Sequence, residues 1–296
     1  MGQIYGHRWS DWLRGTPWYF YLVFTWVKFP LLTLAGLIVG VPLLFRRKLG
    51  DGRYFIFFWL FFFIISFSFV GGKFTRYYTV VLPAVLVTAA LGVQFVGHWL
   101  VQRVKLLPVG KGVAPYAGAA VALVVVVSSI FASMRTTPHL RLYLNALGGG
   151  QAWAGYYFPH DEFYDTSMRD AVTEIARHSN AGVQIASESP ALASYYAGRV
   201  NRPDLVCVSL SDPAALKQLG KGDFVIAARG RRYFSNDILV NQLQQSSPPQ
   251  IRIFAGTVPS VDIYLLDDKS IDIVHENADH MPIFVSTTNV VPAPIN

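Results

Sequence analysis

The sequence is short of the groups from which soluble sites are usually built. It holds a single cysteine, Cys207, in 296 residues, which excludes an intrachain disulfide and any cysteine metal cluster. Set in an apolar run, Cys207 reads as a buried, inert thiol. Acidic residues are scarce at the front: two of the 18 Asp/Glu, Asp11 and Asp51, precede Arg135, against twelve of the 25 Lys/Arg. The net charge of +7 therefore belongs to that front part, and the remainder is mildly acidic. Charged residues make up only 15% of the chain, while 52% is hydrophobic and 15% aromatic. With a mean hydropathy of +0.35, the composition excludes an ordinary soluble domain and makes membrane spans the default reading. No basic stripe with interleaved aromatics occurs outside the front part, so the basic balance does not point to nucleic acid.

Nucleotide and metal signatures are missing as well. The glycines at Gly148–Gly150 and the Gly-Lys-Gly groups at Gly110 and Gly220 match neither the dinucleotide nor the P-loop spacing. His275, Glu276 and His280 form H-E-x-x-x-H, a spacing that rotates the second histidine off the helix face a zinc site would share. These motifs therefore indicate no metal site and resolve no cofactor.

What is present is a series of long apolar runs. Four segments, about 29–45, 54–72, 77–102 and 112–134, are long enough at about 1.5 Å per residue to cross, or nearly cross, a hydrocarbon layer of roughly 30 Å. The first is preceded by the aromatic stretch Trp18–Val27, read as an interfacial belt. Arg46, Arg47, Lys48 and Arg53 fill the first connection, and Arg103, Lys105 and Lys111 the third. The positive-inside bias makes both cytoplasmic and puts Lys73, Arg76, Asp11 and everything after Arg135 outside. The expected location is a plasma (inner) membrane, crossed several times. Met1–Arg14 shows no apolar core followed by a small-residue cleavage site. The chain reads as starting in a loop between spans, which raises the expectation of upstream sequence.

After Arg135 the periods change. Met168, Ala171, Val172 and Ile175 recur at helical spacing behind the acidic opening Asp161, Glu162 and Asp165, with His178 in the last turn. Strand-like runs at 183–186, 205–210 and 223–228 alternate with helix-like pieces at 190–197 and 212–219. This rhythm predicts a small α/β domain with a mainly parallel sheet, closed by an antiparallel pair at 251–254 and 261–266. The expected organisation is a four-helix transmembrane region over 1–135 and an extracytoplasmic α/β domain over 136–296, with a frayed tail after about 268.

Two stretches carry possible chemistry. Gly71–Tyr78 holds Lys73, Arg76, Tyr77 and Tyr78 at the outer membrane boundary. These are either snorkelling anchors or the grip on an anionic lipid phosphate, whose charge grows as its bond to a sugar breaks. Tyr156–Asp165 includes His160, Asp161 and Glu162. It reads either as a helix start with an acidic first turn or as a group that faces the mouth of the spans, binds substrate hydroxyls and assists proton transfer.

Pro17–Leu22, Lys28-Phe29-Pro30, Gly72–Tyr77 and Leu82-Pro83, with Tyr157–Asp165 and Arg231-Arg232-Tyr233-Phe234, resemble the second half of bacterial protein-mannosyltransferase-like and aminoarabinose-transferase-like enzymes. These are GT-C-fold glycosyltransferases that use polyprenyl-phosphate sugars, and the resemblance covers most of the chain. It implies further spans and a catalytic Asp in a first extracytoplasmic loop, upstream of this chain. It also implies lipid-phosphate contacts at Lys73, Arg76 and Tyr77. Within the chain, Asp11, Asp161 and Glu162 are weaker candidates for the base. The expected partners are the lipid-linked sugar and a glycan, lipid or protein acceptor. The alternative is a non-catalytic four-span protein whose external α/β domain binds a ligand or partner.

Overall fold

The computed structural model describes residues 17–46, 50–69, 73–106 and 110–281. The described residues form two compact units, one within 17–164 with 255–258, the other of 165–254 with 259–281. Residues 136–164, expected with the second domain, thus group with the apolar helices.

The first unit begins with α1 (Phe20–Lys28) and α2 (Leu31–Leu43). They break at Phe29, whose extended backbone precedes Pro30; a residue before proline is pushed out of the helical region, and proline offers no N–H to continue the ladder. Then come α3 (Gly52–Phe69), α4 (Leu82–Val104) and α5 (Gly110–Thr136). Among the described residues three helices are long and apolar enough to cross a membrane, Gly52–Phe69, Leu82–Val104 and Tyr116–Thr136. The first expected span falls short, because α2 has 13 residues, about 20 Å of helix. The third starts later than expected: Thr75–Val80 winds as a 3-10 turn, and Pro83 sits in the first turn of α4, where its missing N–H costs nothing.

Small residues bring α2 and α4 together. A Cβ on Gly40 would overlap the Thr88 carbonyl oxygen, and one on Gly92 the Gly36 carbonyl oxygen. Such backbone approach is the main attraction open to helices in lipid, where apolar surface gains nothing by leaving the solvent. A short α6 (Pro159–Phe163) closes the unit.

The second unit holds α7 (Met168–His178), β1 (Gln184–Ser187), α8 (Pro190–Arg199), β2 (Val206–Ser209), α9 (Pro213–Leu216), β3 (Phe224–Ala228), α10 (Asp237–Ser246), β4 (Ile251–Ala255), β5 (Val258–Leu265) and α11 (Asp268–His280). The sheet runs β2-β1-β3-β5-β4. β1 is parallel to both β2 and β3, and β5 antiparallel to β3. Period-two alternation sends Ile185, Phe224, Ile226 and Ile263 to one face with α7 and α8. Ala186, Val225, Ala227 and Tyr264 go to the other, with α9, α10 and α11. Each face is thereby covered by helices.

Of the tail expected to fray after about 268, residues 268–280 form the helix α11, and those from 282 on lie outside the described residues. Asp267 accepts from the Ser270 N–H while the Ser270 hydroxyl accepts from the Asp267 N–H. This reciprocal cap satisfies two backbone donors, and Val274 and Ala278 are buried beneath it.

Candidate functional site

The helical unit places its cationic ends apart. At one end Arg53 donates to the Arg46 carbonyl at 2.7 Å, and Arg103 lies over Trp99. At the other end the segments after α1, after α3 and after α5 meet. The two stretches singled out in the sequence come together there, since the Thr75 N–H donates to Asp161 at 2.7 Å. Asp161 thereby holds the first turn of the 3-10 segment that carries Arg76 and Tyr77, where a helix start favours negative charge.

Lys28 is the centre of this end. Its ammonium donates to the Arg141 and Tyr143 carbonyls at 2.8 and 2.9 Å and lies 2.5 Å from Glu162. The other Glu162 oxygen accepts from the Gly155 N–H. Glu162 is only 2% exposed, and burial pushes its carboxyl above the usual range, opposed by Lys28. Asn145 ties the same end by donating to the Trp26 and Phe29 carbonyls at 2.7 and 2.8 Å, which catches the backbone where α1 breaks.

Lys73 is 4% exposed, and desolvation lowers its pKa. Arg76 is exposed, with its guanidinium 4.5 Å from the Phe74 ring centroid and 5.6 Å from that of Tyr77; it fits an anchor and an anion contact equally. Tyr77 packs edge-on to Phe74. His160 lies in α6, but its side chain, like Asp11 and Gly71-Gly72, is outside the described residues.

Glu162 thus has an enclosed, ion-paired position, and one oxygen of Asp161 accepts from the Thr75 backbone. Lys28 is not singled out by the sequence. Its signal was a lone cation closing an aromatic stretch, and its partners lie far along the chain. Cys207 is part-buried, with its thiol pushed up to about 11 by burial, which keeps it protonated at neutral pH. No family model matches the chain, and no curated protein or solved structure matches it.

Proposed function

We propose that this chain is the C-terminal part of an integral membrane glycosyltransferase that moves a sugar from a polyprenyl-phosphate carrier to an extracytoplasmic acceptor. The observation that carries the reading is the buried cation Lys73 beside exposed Arg76, on a turn fixed by Asp161 at one end of the apolar helices. An acceptor hydroxyl attacks the anomeric carbon from the face opposite the phosphate. The sugar–phosphate C–O bond breaks, and the phosphate leaves with its electron pair. A carboxylate takes the hydroxyl proton. Lys73 and Arg76 offset the charge that collects on the leaving phosphate. Glu162 is paired to Lys28, and the base is assigned upstream as the resemblance implies, with Asp11 and Asp161 as the alternatives within the chain.

In this reading α2 to α5 are four crossings, α2 being a short one led in by the interfacial α1. The end bearing Arg46, Arg53 and Arg103 is cytoplasmic by charge bias, and the end bearing Lys28 and Lys73 is external, with the α/β unit. A C-terminal alkaline phosphatase fusion is then active.

The deciding measurement titrates undecaprenyl-phosphate mannose against the full-length enzyme in nanodiscs. Lys73→Gln and Arg76→Gln should each weaken binding or turnover about ten- to a hundredfold, as loss of a charge-assisted contact does. Arg76→Lys, which keeps charge but loses the planar fork, falls between. Wild-type behaviour in both Gln variants returns the cations to anchors and leaves the non-catalytic ligand-binding reading standing.

A further inference from the structure

The α/β unit has a topological switch point. From β1 the chain crosses through α8 to β2 on one side, and from β2 it returns past β1 through α9 to β3 on the other. The two crossovers lie on opposite faces of the sheet, α8 with one apolar layer and Leu216 of α9 with the other. In open α/β sheets a crevice beyond the carboxyl ends of the strands at such a point is the usual place for a ligand.

The residues leaving those strand ends are polar and poorly compensated. Glu188, directly after β1, is 7% exposed and accepts two hydrogen bonds, from the Tyr233 N–H at 3.2 Å and from Asn236 at 2.7 Å. A carboxylate has about four acceptor positions, so half of its capacity is unused. The arginines that follow β3 pair with other acids: Arg231 with Asp165 at 2.6 Å and Arg232 with Asp237 at 3.0 Å. Ser187, the last residue of β1, is 0% exposed, and its hydroxyl has no hydrogen-bond partner among the described residues. Burying a carboxylate and a hydroxyl without full compensation costs stability. Two such groups in succession at a switch point are a cost that the packing of the sheet does not need.

We infer that the crevice beyond β1 and β3 binds a neutral, polyhydroxylated ligand, a saccharide, through Glu188, Arg231 and Arg232. The balance of charge selects this class. Asp165 and Asp237 already offset the two arginines, so Glu188 leaves the cluster neutral to negative and a phosphate or carboxylate ligand is repelled. Sugar hydroxyls each donate and accept, and so match the spare acceptors of Glu188 together with guanidinium N–H donors. The site is distinct from the Lys73 turn and stands whether or not the chain transfers a sugar.

The test uses the full chain in nanodiscs without lipid donor, and saturation-transfer NMR with mannotriose, cellotriose and N,N′-diacetylchitobiose. At least one trisaccharide or disaccharide should bind. Glu188→Gln and Arg231→Lys should each weaken it tenfold or more, while Lys221→Gln, at the opposite end of the sheet, leaves it unchanged. Circular dichroism checks folding; if Arg231→Lys unfolds, the isosteric Glu188→Gln alone decides. Absence of binding by all three sugars at millimolar concentration overturns the inference. Undiminished binding in Glu188→Gln, or preference for mannose 6-phosphate over mannose, does the same.

Discussion

The two units bury charge in opposite ways. In the helical unit Glu162 is enclosed but sits against an ammonium that also serves two carbonyls. In the α/β unit Glu188 is enclosed and accepts hydrogen bonds only from neutral donors, Arg231 and Arg232 acting on it through space while ion-paired with other acids. The first arrangement locks three separate chain segments at one end of the helices. The second leaves a carboxyl that titrates near neutrality, pushed to about 7 by burial despite its two hydrogen bonds. A buried charge with a dedicated partner thus acts as a clamp, whereas one without it is responsive to its surroundings.

The clamp should give the larger effect when broken. Lys28→Met leaves Glu162 buried and unpaired, for a cost of about 3–5 kcal/mol. The double change Lys28→Met with Glu162→Leu removes both charges and should recover most of that loss. Thermal unfolding in one detergent checks both. If the single variant melts with the wild type, the pair is not a clamp and the contrast between the units fails.

Glu188 provides the pH counterpart. Its carboxyl rises from 4.5 in the unfolded chain to about 7 in the fold, so the folded protein binds the proton more tightly. The associated stability is complete below pH 4.5 and is lost as pH climbs to about 7. The difference amounts to about 3 kcal/mol at most. Unfolding of the α/β unit, followed by hydrogen exchange of β1 and β3, should therefore ease between pH 5 and pH 8, taken as about the limits of safe handling. Glu188→Gln should flatten this profile; an unchanged slope assigns it to another group.

Legibility differed between the units for physical reasons. Strands β1, β2 and β3 fall within two residues of the expected runs because continuous apolar segments bounded by Gly, Pro and Asp have few other uses in a chain of this kind. Helix α7 was plain from its period. α11 was missed because its apolar positions, Ile271, Val274 and Ala278, are diluted by charge, and its cap rests on an Asp267–Ser270 pair with no Glu or Gln to mark it. In the membrane part, hydropathy revealed the runs but not the break at Phe29–Pro30 or the 3-10 turn before α4. Of the candidate site, the Lys73 turn and the Asp161 segment were both visible, but their meeting through Thr75 was not. Glu188 after β1 looks like any acid leaving a strand; only the strand order, which depends on pairing distant segments, places it at a switch point.

The smallest expected effect contrasts packing rather than charge, and one substitution of the same kind should have opposite signs in the two units. Gly92 of α4 lies where an added Cβ overlaps the Gly36 carbonyl oxygen and meets the Gly40 nitrogen at 2.7 Å. Both are backbone atoms, so the helices must separate, and Gly92→Ala should cost about 1–3 kcal/mol as overpacking does. Gly198 of α8 has nothing within 4 Å of such a Cβ. There the added methyl mainly restricts the unfolded chain, and Gly198→Ala should stabilise by about 0.4–1 kcal/mol. Hydrogen exchange of α4 and α8 peptides in both variants separates the effects: faster exchange in α4 for the first, slower in α8 for the second. Should Gly92→Ala protect α4 instead, helix propensity outweighs contact there, and α2 and α4 are not held by backbone approach.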